Sequence, residues 1–181
     1  NRLEQIRSAV RFGAREIDVV INGELALAAE YKRLFDEIRA MREACGEAHI
    51  KVIFRTGTLG TLDRVWAVSE VAMQAGADFI KTSTGKDPIN ATLPTGLTMV
   101  RAIRSYLDRT GYEVGFKPAG GISKAGDALK WQAMMRDELG ERWMLPGLFR
   151  FGASSLLDDI VRQLRFHAFG GYGDVDYVGL G

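Results

Sequence analysis

The sequence predicts an α/β fold built on a parallel sheet, and three observations carry that prediction. Short, nearly all-apolar runs alternate with amphipathic stretches five times, at intervals of roughly 30 to 36 residues. That alternation is the pattern of β-α-β units, whose crossovers are right-handed and whose strands lie parallel. The runs themselves, such as Glu16–Ile21, lack strict in-and-out alternation, as expected of strands covered on both faces. Polar residues gather at or just after the C-terminal half of each run, the end at which α/β barrels build their sites.

Taken in order, residues 2–12 carry an apolar stripe of Leu3, Ile6 and Val10 with charges opposite, which predicts a helix closed by Gly13. Glu16–Ile21 is the first strand. Residues 24–45 form a long helical region with Leu25, Leu27, Leu34, Ile38 and Met41 among its apolar positions. Lys51–Phe54 is the second strand, followed by Thr56-Gly57-Thr58. Thr61 and Asp63 are candidate caps for a helix to about Ala75, which Gly76 closes. The third strand starts at Asp78, and Pro94 stands near the start of a helix through about Leu107. Val114–Lys117 is the fourth strand, with a helix from about Lys124 to Leu139 after it. Phe149–Gly152 reads as a last short strand, and Ser154-Ser155 as the cap of a final helix ending near Phe169. Residues 1–169 form one unit, and the glycine-rich, aperiodic 170–181 reads as a flexible tail.

Composition narrows the function classes. The chain has 181 residues, 46% hydrophobic and 26% charged, the profile of one globular domain with a substantial core. Its 24 basic and 23 acidic residues are interspersed and sum to +1, so there is no general field for nucleic acid or an acidic membrane. Anion binding must be local. The single cysteine, Cys45, excludes an intrachain disulfide and fits a reducing, cytoplasmic setting. No apolar run approaches the roughly 20 residues a membrane span needs, and the first six residues do not read as a signal peptide. No His, Asp or Glu cluster has metal-ligand spacing, so neither metal nor other cofactor is expected.

Two lysines stand out. Lys81 sits inside Asp78–Lys86 (DFIKTSTGK), and Lys117 inside Val114–Ile122 (VGFKPAGGI): each is a short apolar strand, a lysine, then a glycine turn. Desolvation in a strand disfavours the ammonium, and a neutral amine is a nucleophile for carbonyl carbon. On neighbouring parallel strands both amines reach the same edge, where a charged Lys117 would raise the cost of protonating Lys81. Taken singly, a strand-end lysine that reaches for solvent is the more economical reading. Asp18 interrupts the first strand. A carboxylate there must be paired or hydrogen-bonded, either in a salt bridge to a basic neighbour or as an acid/base partner facing the lysines.

Three segments offer backbone N–H groups to an anion: Gly85-Lys86, Gly120-Gly121, and Gly152-Ala153-Ser154-Ser155 at the start of the last helix. One alone is more simply a turn or a cap. Three together, beside two strand lysines, favour a phosphorylated carbonyl substrate.

With these motifs in place, DFIKTSTGK, GFKPAGGI (Gly115–Ile122), EIDVVI (Glu16–Ile21) and FGASSLL (Phe151–Leu157) together resemble the deoxyribose-phosphate aldolase family. The likeness runs from about residue 2 to residue 169. Asp36–Ile50 and the Asn90-Ala91-Thr92 step place it nearest the eukaryotic-type branch. The resemblance implies a (β/α)8 barrel of the TIM type, of which only about the last five β-α units are present here. It implies a metal-free, Schiff-base aldolase that cleaves 2-deoxy-D-ribose 5-phosphate reversibly to acetaldehyde and D-glyceraldehyde 3-phosphate, in deoxyribose phosphate catabolism. Carried over position by position, Lys81 is the Schiff-base lysine, Lys117 the lysine that tunes it, and Asp18 the carboxylate that moves protons with a water. Gly85, Lys86, Gly120, Gly121, Ser154 and Ser155 are phosphate-side positions. The implied partner is a phosphorylated sugar, with no nucleic acid and no membrane, and with homo-oligomerisation left open.

The sequence departs from the family pattern in two places. Ser123, followed by Lys124, stands where an arginine is usual, so either the phosphate end is weaker or Lys124 supplies the charge. About three β-α units precede the matching region in the family, so eight strands are not in view. Two other readings therefore stand beside the aldolase: a lysine-dependent aldolase for another phosphorylated aldehyde, and a non-catalytic remnant that binds a sugar phosphate or pairs through an open sheet edge.

Overall fold

The computed structural model of the chain describes residues 1–172. Its elements are α1 (Arg2–Arg11), β1 (Glu16–Val20), α2 (Gly23–Leu27), α3 (Tyr31–Cys45), β2 (His49–Ile53), α4 (Thr56–Leu59), α5 (Leu62–Gln74), β3 (Phe79–Lys81), α6 (Leu93–Thr110), β4 (Gly115–Lys117), α7 (Ala125–Leu139), a 3₁₀ turn (Glu141–Met144) and α8 (Leu156–Phe169). The four strands form one sheet in sequence order, every pair parallel. The α/β class and the parallel sheet are therefore as the sequence predicts.

The fifth expected strand is present only as two bridges to the β4 segment, Phe116 with Phe149 and Ala119 with Gly152. Backbone bonds from Phe116 to Leu148 and from Arg150 to Phe116 hold it at the sheet's end. Its other side has no strand neighbour among the described residues, which is why its pairing is sparse. The long helical region also breaks. Ala28 caps α2, Ala29 takes a left-handed conformation with φ 56°, and the helix restarts at Tyr31.

Period-two alternation divides each strand between two faces. Val19, Val52, Ile80 and Phe116 are buried under the helices, against Ile38, Val68, Met99 and Trp131. Asp18, Lys51, Phe79, Lys81, Gly115 and Lys117 belong to the alternate positions, and the register sets Asp18 beside Lys51 and Lys81 beside Lys117.

Helix starts follow ordinary capping chemistry. Thr61 accepts from the Arg64 N–H at the start of α5, and Thr92 and Thr95 make a reciprocal capping box at α6. Among the described residues, four α-helices start without a side-chain capping bond, behind Glu30, Arg55, Lys124 and Ser155; of these only Ser155 is a residue type that ordinarily caps. Of the expected flexible tail, residues 173–181 lie outside the described residues; Gly170 caps α8 and the Tyr172 ring stacks on Phe166 at 4.5 Å.

Gly115 is required by packing. A β-carbon there would lie 2.3 Å from the Phe79 ring, which is itself buried and cannot swing away. Gly115→Ala should destabilise the fold by about 1–3 kcal/mol through overpacking. The expected readout is a lower urea midpoint with an unchanged slope.

Candidate active site

The C-terminal halves of β1, β3 and β4 bring the three expected catalytic residues together. Lys81 Nζ donates to Asp18 Oδ2 at 2.7 Å, and Lys117 Nζ donates to the same oxygen at 3.3 Å. The carboxylate thus bridges two amines carried by adjacent strands. About a third of the Asp18 side chain is exposed, against 12% and 19% for Lys81 and Lys117.

Three further residues, not singled out from sequence, complete the cluster. Lys51 is 2% exposed, and its ammonium donates to Glu16 Oε2 at 2.7 Å and lies 3.4 Å from Asp18 Oδ1. Arg150, from the fifth segment, holds Glu16 in a fork with contacts of 2.8 and 3.0 Å. Glu16 and Asp18 share a face because they are two residues apart on a strand. The signal was present in the sequence: Lys51 is a lysine beside an apolar run, as Lys81 is.

Burial pushes the Asp18 carboxyl up, yet the Lys81 hydrogen bond and the charges of Lys81, Lys117 and Lys51 outweigh it and leave Asp18 below its usual range. The Lys51 hydrogen bond, followed by that of Arg150, likewise holds Glu16 down against its own burial. Lys117 is lowered, chiefly by burial, with Asp18 opposing and the neighbouring Lys81 and Lys51 charges adding to the fall. For the two carboxylates the sign is that of depressed groups. Their stabilisation is fully present above the unfolded carboxylate range, near about pH 4, and is lost as the pH falls through the lower folded values. Asp18→Asn should therefore flatten the acid limb of a stability-against-pH curve measured by urea unfolding. An unchanged acid limb would contradict the pairing.

Next to the lysines lies a cavity of about 530 Å³, lined by Thr84, Gly85, Gly120, Gly121, Ile122, Ser123, Gly152, Ala153, Ser154 and Ser155. Five of the six expected phosphate-side residues line it. Lys86 does not: it is exposed, and its N–H bonds Thr84 Oγ1 at 3.3 Å. Thr84 and Ile122 are lining residues that sequence reasoning did not assign; Gly152 and Ala153 belong to the third anion segment it named, and Ser123 is the position where an arginine is usual. Gly85 and Gly120 have φ of 85° and 87°, and a β-carbon on Gly85 would touch the Gly120 Cα at 3.7 Å. Thr82 and Ser83, both buried, donate to the Ala119 carbonyl at 3.1 and 2.5 Å and so tie the two glycine turns together. A β-carbon on Gly152 would stand 3.5 Å from Lys117 Cε, so the cavity and the lysine pair share a wall. A second depression of similar size, about 550 Å³, sits between the turns that precede β1 and β2 and contains none of these lysines. Among the described residues no group of three His, Cys, Asp or Glu could hold a metal ion, and no helix is long and apolar enough to cross a membrane.

The family description that matches, DeoC/LacD family aldolase, spans residues 2–160. Deoxyribose-phosphate aldolase of Bos taurus is 57% identical over 171 residues, 94% of this chain and 54% of that protein. The Homo sapiens protein of the same name is 56% identical over the same extent. The chain thus spans about half the length of the curated relatives it matches. Among solved structures, a Coccidioides immitis protein superposes with a TM-score of 0.74 at 32% identity, over 90% of this chain and 57% of that one. The tetrameric deoxyribose phosphate aldolase of Aeropyrum pernix superposes with a TM-score of 0.64 at 23% identity, over 90% and 60%, and attests the fold alone. A family match over residues 2–160, on a parallel sheet whose strands present paired lysines and a shared carboxylate, settles the affiliation: this chain belongs to the DeoC/LacD aldolase family.

Proposed function

We propose that this chain is the C-terminal part of a (β/α)8 aldolase that cleaves 2-deoxy-D-ribose 5-phosphate reversibly to acetaldehyde and D-glyceraldehyde 3-phosphate through a Schiff base on Lys81. The observation that carries the reading is the Lys81–Asp18–Lys117 bridge beside a cavity walled by glycine turns and the start of the last helix. Lys81 must first give up a proton, and Asp18, at 2.7 Å, is the acceptor in reach. The free amine adds to the aldehyde carbon C1, and loss of water leaves an iminium ion. The C2–C3 pair of electrons flows into that ion as the 3-hydroxyl loses its proton, which frees glyceraldehyde 3-phosphate and leaves an enamine. Protonation of the enamine at C2 and hydrolysis release acetaldehyde and regenerate the amine. In this reading Asp18, working through a water, carries these proton transfers, a task worth about 10² to 10⁴ in rate. Lys117, close to the same carboxylate, favours the neutral form of Lys81 whenever it is charged.

In this reading Gly85, Gly120, Gly121, Ser154 and Ser155 hold the phosphate, with Thr84 and Ser123 adding hydroxyls, and Lys86 contributes charge at longer range. The uncapped Ser155 hydroxyl and the N-terminal end of the fourteen-residue α8 support that assignment. A cytoplasmic setting and a homo-oligomer, as in the tetrameric Aeropyrum relative, are parts of the same reading. The test is to incubate the chain with 2-deoxyribose 5-phosphate, reduce with borohydride and map the adduct by peptide mass spectrometry. A single adduct on Lys81 supports the reading. Labelling scattered over surface lysines, or none, overturns it for this chain.

A further inference from the structure

Arg55 is the residue that the proposed reaction leaves without a task. It follows β2 directly, in a left-handed conformation (φ 56°, ψ 55°) that a branched or long side chain rarely adopts. Its guanidinium forks onto Asp87, 32 residues on, with Nε at 3.0 and 3.2 Å from the two carboxylate oxygens and Nη2 closer still. The Asp87 side chain is only 6% exposed, covered largely by a partner that is itself 49% exposed. Hydrogen bonds from Arg55 hold the Asp87 carboxyl below its usual range, and Asp87 in turn raises Arg55.

Asp87 lies in the loop between β3 and α6, two residues after Gly85. The same loop is fitted between two glycines. A β-carbon on Gly57 would fall 2.1 Å from the Ile89 carbonyl oxygen, and one on Gly120 would fall 2.6 Å from the Asn90 side chain. The Asn90 amide donates to the Asp87 carbonyl at 2.6 Å. Backbone bonds from Phe54 to Lys81 and from Thr56 to Thr82 bind the Arg55 corner to the base of the loop. The loop is thus clamped by backbone at its base and by one bidentate ion pair at its crest, with Thr84 and Gly85 between the two.

We propose that the Arg55–Asp87 pair is a latch that holds the β3–α6 loop in the shape that presents Thr84 and Gly85 to the anion cavity, so that these two are positioning residues for phosphate and not for the lysine chemistry. The proposal rests on the reading of that cavity as the phosphate end of the site. Most exposed ion pairs contribute little. This one differs in being bidentate, with its carboxylate covered by the guanidinium, the geometry in which charge-assisted bonds are strong.

The test compares the unaltered chain with Arg55→Asn, Asp87→Asn and the conservative Arg55→Lys. Asparagine tolerates the left-handed backbone, so Arg55→Asn removes the charge without adding strain. Three quantities are read: amide hydrogen exchange over residues 84–90, the Kd for inorganic phosphate, and borohydride trapping of acetaldehyde, which has no phosphate, on Lys81. The latch predicts exchange in the loop about tenfold faster in both asparagine variants, and a phosphate Kd raised by a similar factor. Arg55→Lys should fall between, and acetaldehyde trapping should stay within about twofold. Unchanged exchange and unchanged Kd would overturn the latch. A parallel loss of acetaldehyde trapping would also overturn it, since it would show general damage to the fold. An unaltered chain that binds no phosphate would overturn the assignment to an anion site. Absence of trapping in the unaltered chain, with phosphate affinity still responding to Asp87→Asn, would leave the latch standing and overturn the proposed reaction instead.

Discussion

Lys81→Met should abolish the borohydride adduct with 2-deoxyribose 5-phosphate and remove any retro-aldol turnover by a factor on the order of 10³ or more, because the covalent route is lost with its nucleophile. Methionine keeps the length and apolar stem of lysine, so packing on β3 is preserved. The fold should survive, since Asp18 keeps Lys117 at 3.3 Å and Lys51 at 3.4 Å when Lys81 is gone. Lys117→Met is the informative companion. It leaves the 2.7 Å Lys81–Asp18 contact in place, so the adduct should still form on Lys81, but more slowly, as one neighbouring positive charge has been withdrawn. The two variants therefore separate nucleophile from tuner. An adduct that persists in Lys81→Met and maps to Lys117 would exchange the two roles. Absence of labelling on Lys81 in Lys117→Met would mean that the second amine is needed to hold Asp18, and not only to set the charge balance.

The lysines are legible in the sequence as a pair: one strand-end lysine is most simply a side chain reaching for solvent, but two short strands that both run apolar, lysine, then glycine turn point to shared chemistry. The glycine turns were legible because positive φ is costly for other residues, and Gly85, Gly120 and Gly121 do adopt it. What escaped was set by pairing between distant segments. Lys51 looked like the edge of a strand, and only the register that puts it opposite Asp18 shows it to be buried. Glu16 needed Arg150, 134 residues away. Arg55 and Asp87 carry no motif at all. The break at Ala29 and the thinness of the fifth strand were equally out of reach, since alanine has no turn signal and strand pairing depends on a neighbour. Ser154-Ser155 read equally as a cap or an anion site from the sequence, and the Ser155 side chain makes no capping hydrogen bond.

The buried charge cluster makes the other large prediction, and it turns on which partner is removed. Lys51, at 2% exposure, is held by Glu16 at 2.7 Å and Asp18 at 3.4 Å, and its ammonium lies 5.9 Å from the Phe79 ring. Arg150 approaches the same ring at 5.7 Å. Two carboxylates thus serve four cations: Lys51, Lys81, Lys117 and Arg150. Removing both carboxylates, as Glu16→Ala with Asp18→Ala, would leave Lys51 buried without a counter-charge among three other cations, a loss of about 3–5 kcal/mol at neutral pH. Removing the cation instead should cost far less. In Lys51→Met the side chain stays apolar and of similar volume, Glu16 keeps its fork to Arg150, and Asp18 keeps two lysines, so the change should stay within about 1.5 kcal/mol. Urea unfolding of the two variants at pH 7 measures the asymmetry. Equal losses in the two variants would overturn the asymmetry, because the charge left behind would then matter no more than the charge removed.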